Sequence, residues 1–487
     1  MSLAARAARG AVWTILSAVG GRALGVIGTL IITRFLAPDV VGEVGSAMII
    51  VLTINWLTNI GFGQYVIVRG RTELEPEVVW HAQVASIGLA WIGLALVALF
   101  AEPVAWLVDS DHAGQYIPLL ALTVGIRRIS AIPEKLLIRS LHFRAISIAY
   151  ALGEVVYAAA TVAFAAGGFG GMAVVYGHLA QYALVTIIIL GAAGRGWLER
   201  TPLRMARFRD MLNFGWPLAI GAIASNASRY WGNLAVRRLF GAHATGLYNL
   251  AYGLADIPAV YVGEQIGMVL LPSLSRMEPE RRPRALERST ALLSLIIFPM
   301  AVGLGVVSDP LIELMLSDEW QGVAPLLTIL VVVSVFRPVA WVVSSYLLAQ
   351  ERNRPLMFLE LGMITVLLGS MVALSPLGIE WAAIAVGISF GLHALASVWM
   401  VLGDGPRPAV LLGGFLRPLV ACAAMAGAVL GVRALMAHTV EIHVGIQLAV
   451  EVVVGAAVYV AGALVVCRET AHDLLGLVKD VVRRRRD

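Results

Sequence analysis

Charge is scarce in this sequence, and lysine is nearly missing from it. Charged side chains make up 14% of the 487 residues, against about 25% in an ordinary soluble domain, whereas apolar ones reach 59% against about 45–50%. Such a chain cannot shield its apolar surface from water, which excludes a water-soluble globular enzyme. Its two lysines, Lys135 and Lys479, sit in no Gly-x-x-x-x-Gly-Lys-Ser/Thr loop, which excludes an ATP-driven pump with that phosphate cradle. Its two cysteines, Cys422 and Cys467, fall in or at the edge of apolar runs and imply neither a disulfide framework nor a metal site. No cofactor is implied, and the modest net charge of +5 points to lipid rather than nucleic acid as partner.

What the sequence does have is one long apolar run after another. A membrane-crossing helix takes about 20 apolar residues, and charged, proline and glycine breaks divide the chain into fourteen such runs. They lie near 10–33, 44–63, 82–107, 115–138, 146–166, 170–194, 212–235, 247–271, 289–308, 323–349, 355–375, 380–402, 411–434 and 444–467. The first follows Arg6 and Arg9 as in a signal peptide, but it runs too long and has no small-x-small cleavage site, so a retained span is expected. Most lysines and arginines fall on the side shared by both termini, notably in 195–209 and 276–288. The opposite loops carry Asp109, Asp111, Asp309, Glu313, Asp318 and Glu319. This asymmetry predicts cytoplasmic N and C termini for an all-α polytopic protein of the bacterial inner membrane.

The first six spans resemble the next six at an offset of about 205 residues, a mark of duplicated transporters. Arg34-Phe-Leu-Ala-Pro-Asp-Val-Val-Gly42 parallels Arg238-Leu-Phe-Gly-Ala-His-Ala-Thr-Gly246. Ser110-Asp111 with Pro118-Leu-Leu parallels Ser317-Asp318 with Pro325-Leu-Leu. Two pseudo-symmetric six-helix lobes, 1–200 and 201–405, are expected, then two appended helices and a basic tail in 406–487. Six being even, both copies insert in the same sense, with a cavity expected where they face. The 49 glycines are read as packing positions. Pro133, Pro217, Pro258, Pro299 and Pro338 lie inside spans, as hinges or as packing geometry.

Five arginines stand inside predicted spans: Arg22, Arg127, Arg128, Arg229 and Arg337. Each would cost about 2.5–3.5 kcal/mol facing lipid. Five such costs rival a whole folding free energy of about 5–15 kcal/mol, so they must face protein or water. The repeat places Arg22 within a turn of Arg229 and Arg127 near Ser334, three residues before Arg337, giving two pseudo-symmetric pairs. Arg128 points about 100° away from Arg127. Guanidinium groups lining a cavity match phosphate oxygens; the competing reading is structural pairing with Glu154, Asp256, Glu264, Glu360 or Glu451. Asp256 and Glu264, on one predicted helix, and Glu154 are candidate ion-coupling residues, again with pairing to arginine as the alternative. Arg34 and Arg238, at equivalent outer span ends, fit snorkelling to the interface. His178 and His393 fit core hydrogen bonding or proton relay.

Phe214-Gly-Trp-Pro-Leu218, Ser228-Arg-Tyr-Trp-Gly-Asn-Leu234, Gly246-Leu-Tyr-Asn-Leu-Ala-Tyr252, Ala255-Asp-Ile-Pro258 and Leu271-Pro-Ser-Leu-Ser275 together resemble Wzx-type polysaccharide-repeat-unit flippases. These belong to the multidrug/oligosaccharidyl-lipid/polysaccharide exporter superfamily. Arg34-Phe-Leu-Ala-Pro-Asp39 and Gly61-Phe-Gly-Gln64 fit the same resemblance. It implies two six-helix lobes with optional extra C-terminal helices and a cationic cavity for an undecaprenyl-diphosphate-linked oligosaccharide, with Arg22 and Arg229 on the headgroup, then Arg127 and Arg337. Gly232 and Gly253 depart from the pattern, which leads one to expect an acidic and a basic residue there.

The expected function is therefore export of a lipid-linked anionic oligosaccharide for surface polysaccharide assembly by alternating access, not catalysis. A cation-coupled multidrug antiporter is the alternative, and should carry carboxylates rather than arginines in its cavity. Asp109-Ser-Asp111 could be a glycosyltransferase-like Asp-x-Asp metal site, but the aligned Ser317-Asp318-Glu319 makes helix capping the single reading for both copies. The expected partners are the lipid-linked cargo, other membrane proteins of polysaccharide assembly, and anionic lipids beneath the tail Arg483 to Arg486; the chain is expected to be a monomer.

Overall fold

The structure is a computed structural model that describes residues 30–69, 76–110, 112–140, 142–194, 196–259, 270, 274, 277–350, 352–437 and 443–483. Among them every regular element is helical, and eleven helical segments are long and apolar enough to cross a membrane. The solvent dictates this, because a bilayer offers no partner to a backbone N–H or C=O, so a crossing segment must bond within itself. The eleven overlap eleven of the predicted runs, from Pro38–Leu57 to Val444–Val466. The run near 10–33 lies outside the described residues, apart from its last few. Those near 212–235 and 247–271 fall on a helical stretch, Met205–Pro258, interrupted at Gly241 where φ is 82°; most of the second of these runs beyond residue 259 is outside the described residues.

The chain divides into two compact units, Met1–Gly246 and Leu247–Asp487. In the first, Val51, Leu94, Ile117, Leu120 and Val175 form a core between helices Pro38–Leu57, Pro76–Leu99, Ala113–Ile129 and Met172–Ala193. In the second, helix Arg282–Val306 is a shared wall. Its Leu293 and Ile297 pack with Val342, Tyr346 and Ala394, while its Phe298 and Ala301 pack with Ala421, Met425, Tyr459 and Cys467. The last two spans, Pro408–Met436 and Val444–Val466, are thus built into the core of their unit, and both cysteines are free and buried there.

Inside the first unit the two matched words of the repeat touch each other. A Cβ on Gly42 would overlap the carbonyl oxygen of Ala242, and one on Gly246 would overlap that of Pro38. In the aligned words Ala242 is the counterpart of Pro38 and Gly246 that of Gly42, so the contact is reciprocal. Asp39 and His243, also counterparts, face each other at 3.7 Å. The missing side chains at both glycines let the backbones meet where no hydrophobic effect would press them together.

Prolines inside spans connect helices. Pro133 has no N–H to give the Ile129 carbonyl four residues back; the chain is interrupted at Ser130, and Gln83 Nε2 donates to that carbonyl at 2.8 Å. Pro299 likewise frees the Leu295 carbonyl, which accepts from Tyr459 OH at 2.6 Å. In each case a side chain from another helix replaces the lost bond. Tyr459→Phe should therefore cost about 1–3 kcal/mol by leaving a buried carbonyl unsatisfied. In a Pro299→Ala background, where the backbone N–H is restored, the same change should cost well under half of that. A double-mutant cycle of unfolding in detergent measures the coupling.

Candidate functional site

Of the residues singled out by the sequence, Arg22 and Glu264 lie outside the described residues, as does the side chain of Arg229, whose backbone belongs to the stretch Met205–Pro258. The others divide between the two units, and the structure gives each a definite environment.

Arg127 and Arg128 stand in the last turn of helix Ala113–Ile129. Consecutive helical residues diverge by about 100°, and the two guanidinium groups meet different surroundings. Arg127 donates to Ser130 Oγ at 2.7 Å and to Tyr150 OH at 2.6 Å, and forms an ion pair with Glu134. Tyr150 OH donates in turn to Glu134 Oε1 at 3.1 Å, closing a ring of contacts. Arg128 is only 7% exposed, yet its Nε and Nη2 have no hydrogen-bond partner, and no ion pair reaches it among the described residues. Gln83, bonded to the neighbouring Ile129 carbonyl, has its own Oε1 buried and unpartnered. An uncompensated buried charge costs several kcal/mol.

The same face of helix Phe143–Ala166 carries Tyr150, Glu154 and Tyr157, spaced at i, i+4 and i+7. Gln181 Nε2 donates to Glu154 Oε1 at 3.0 Å, and His178 Nδ1 lies 3.1 Å from Gln181 Oε1. The His178 ring stacks on Tyr157 with centroids 4.4 Å apart. His178 therefore has a core hydrogen-bonding role, in a polar stripe that continues from the Arg127 cluster.

In the second unit Arg337 is buried and forms an ion pair with Asp256. It also donates to Tyr252 OH at 2.8 Å and lies 5.1 Å from the centroid of the Phe390 ring, a cation–π distance. Ser334 Oγ donates to the Ala255 carbonyl and pins the two helical segments together. Of the sequence-predicted residues, then, the structure brings Arg337 and Asp256 together, and gives Arg127 the carboxylate of Glu134 from the next helix, Ala131–Arg139. His393 Nε2 sits 3.7 Å from Glu360.

Two buried charge clusters were not singled out as sites in the sequence. Glu43 and Arg237 pair at 2.7 Å, both nearly inaccessible, and Ser110 Oγ donates to the same carboxylate. Arg433 holds Glu451 at 2.7 Å with help from Gln447, and also donates to the Val306 carbonyl at 2.6 Å. Arg237 and Glu43 adjoin predicted span boundaries, where a charge reads as loop; the signal was their place beside the matched glycine words. The capping reading of Asp109-Ser-Asp111 does not hold for the described residues. The N-caps of the following helices are His112 and Ser317, neither with a side-chain cap, because Ser110 is turned toward Glu43. Asp111 is outside the described residues, and Asp109 lies 3.4 Å from Arg238 at the surface.

Comparison with known proteins fits this picture. Residues 31–325 match the family model described as polysaccharide biosynthesis protein. The chain is 26% identical over 325 residues to the succinoglycan biosynthesis transport protein ExoT of Rhizobium meliloti (strain 1021), covering 65% of this chain and 64% of that protein, just under two thirds of its length. It is 24% identical over 357 residues to the lipopolysaccharide biosynthesis protein WzxC of Escherichia coli (strain K12), covering 72% of each. Its fold is similar to that of the lipid II flippase MurJ in an inward closed conformation, with a TM-score of 0.80 at 12% identity over 94% of this chain and 99% of that one. An inward-facing multidrug-resistance MATE family transporter follows at a TM-score of 0.63 and 14% identity, covering 78% of this chain and 94% of that one. These last likenesses are of fold.

The contrast between Arg128 and Arg337 can be measured. Arg128→Met removes a buried charge that has no partner and should leave unfolding in detergent unchanged or raise its midpoint. Arg337→Met removes the buried guanidinium that pairs with Asp256 and should cost about 3–5 kcal/mol.

Proposed function

We propose, on the premise that this chain belongs to the polysaccharide biosynthesis protein family, among the Wzx-type flippases of the multidrug/oligosaccharidyl-lipid/polysaccharide exporter superfamily, that it flips a lipid-linked oligosaccharide across the inner membrane. The premise carries with it a multi-pass bacterial inner-membrane transport protein rather than an enzyme. The cargo on this reading is an undecaprenyl-diphosphate-type oligosaccharide destined for surface polysaccharide, and the observation that carries the reading is Arg128, a buried guanidinium with no counter-ion among the described residues. A diphosphate offers oxygens that match that fork.

The proposal keeps Arg22 and Arg229 as headgroup ligands in an arginine-lined cavity, with Arg127 and Arg337 as rim residues whose own carboxylates tune them. Glu154, Asp256 and Glu264 are proposed ion-coupling positions. Transport then proceeds by alternating access with both termini cytoplasmic. In that orientation the reciprocal Gly42 and Gly246 contact and the Glu43, Arg237 and Ser110 cluster lie at the outer side, and this contact has to part for the headgroup to leave. A potential negative inside assists an anion outward by about 2.3 kcal/mol per charge per 100 mV.

Deleting the gene should accumulate a diphospholipid oligosaccharide and deplete surface glycan, and the wild-type gene should reverse both. Arg128→Met should reduce flipping in proteoliposomes at least about tenfold, the loss of a charge-assisted contact of about 1.5–3 kcal/mol, with folding intact. Normal glycan together with sensitivity to cationic drugs would replace the flippase reading with the antiporter. Gly246→Val, which drives a side chain into the Pro38 carbonyl, should stop flipping in the same assay. Gly369→Val, at an exposed position with no described atom within 4 Å of its Cβ, should not.

A further inference from the structure

In the second unit a charged cleft and an apolar slot follow one another along the same helices. The cleft, of about 840 Å³, is formed at the start of Arg282–Val306, past the end of Ile379–Leu402, at the start of Pro408–Ala437 and at the start of Arg468–Arg483. The slot, of about 300 Å³, is lined by Phe336, Val343, Ala394, Val398, Leu411 and Phe415. The two share helices: Ala291 lines the cleft and Thr290 the slot, Val410 the cleft and Leu411 the slot. Spanning helices end at the depth of lipid headgroups, and their next turns lie among acyl chains. The cleft is therefore at headgroup level and the slot at hydrocarbon level, which is the division of an amphiphile.

The charges of the cleft narrow the headgroup. Asp473 is held by Arg288 at 3.0 Å, Asp404 by Arg352 at 2.7 Å, and Glu287 accepts from the Arg407 backbone N–H at 2.6 Å. A backbone N–H leaves the Glu287 charge unanswered, so three carboxylates, Glu280, Glu287 and Glu469, and two exposed guanidinium groups, Arg284 and Arg407, stand without ion-pair partners among the described residues. Unanswered charges of both signs, with carboxylate in excess, suit a headgroup that brings an ammonium as well as a phosphate. A purely anionic headgroup would meet repulsion from the carboxylates. A primary ammonium also brings three N–H donors to them, which a trimethylated one lacks. At the junction Thr290 Oγ1 is buried without a partner, at the depth of the glycerol ester carbonyls.

We infer that this cleft and slot hold one phospholipid of the phosphatidylethanolamine class, its phosphate at Arg284 and Arg407, its ammonium at Glu280 and Glu469, and one acyl chain in the slot. The site does not depend on the identity of the transported cargo and requires only that the unit lie in a bilayer.

The test uses the full-length protein in nanodiscs of phosphatidylcholine doped with phosphatidylethanolamine or phosphatidylglycerol, read by native mass spectrometry and by the thermal midpoint. One phosphatidylethanolamine should be retained per chain, preferred about tenfold over phosphatidylcholine, with a higher midpoint. Glu280→Gln with Glu469→Gln, both at the surface, should make the two lipids equivalent. Gly391→Leu should expel the lipid, since its Cβ would make only ordinary contact with Phe336 at 3.5 Å and the rest of the side chain would enter the slot. Equal retention of the two zwitterionic lipids by the wild type, or preference for phosphatidylglycerol, would overturn the assignment. So would undiminished selectivity in the glutamine variant, which keeps the test decisive even where Gly391→Leu fails to fold.

Discussion

A hydrocarbon interior solvates neither a charge nor a bare carbonyl, and the polar features of this chain are arranged around that constraint. Where Pro133 and Pro299 remove backbone donors, Gln83 and Tyr459 supply others from separate helices. Where arginines enter spans, carboxylates meet three of those described: Glu134 for Arg127, Asp256 for Arg337, Glu451 for Arg433. Each repair joins elements that hydrophobic attraction alone would not hold together inside lipid, so the same contacts that satisfy polar groups also specify which helices are neighbours.

Against this background Arg128 is informative because it departs from the rule. Its neighbour Arg127 has three partners, and among the described residues it has none. A buried cation in that position is a cost to the fold, which the proposed anionic cargo would offset. The paired arginines serve a different end. Their charge is already answered, so they contribute field and geometry rather than an open contact.

The repeat shows a second economy. The chain holds two copies of one short word, and in the first unit the copies meet each other, with Gly42 on Ala242 and Gly246 on Pro38. Counterparts that pack on counterparts form a local two-fold, so a small residue at one position of the word serves both sides of the contact. The buried Glu43 and Arg237 pair stands beside it and breaks that symmetry, since only one copy carries each charge.

The sequence by itself determined the solvent, the helical class and the positions of eleven spans, because hydropathy and spacing are properties of the chain read in one dimension. It also named Asp256 among the carboxylates that the arginines inside predicted spans could meet, and Arg337 meets it. Tertiary structure decided which charge answers which. Arg127 and Arg128 are neighbours in sequence, yet about 100° of helical rotation sends one to Glu134 and leaves the other unpaired among the described residues. Glu43 meets Arg237 across 194 positions, and Tyr459 reaches Leu295 across 164. Pairing of this kind depends on the direction in which a side chain leaves its helix and on which helix stands opposite, and neither is written in the local run of residues.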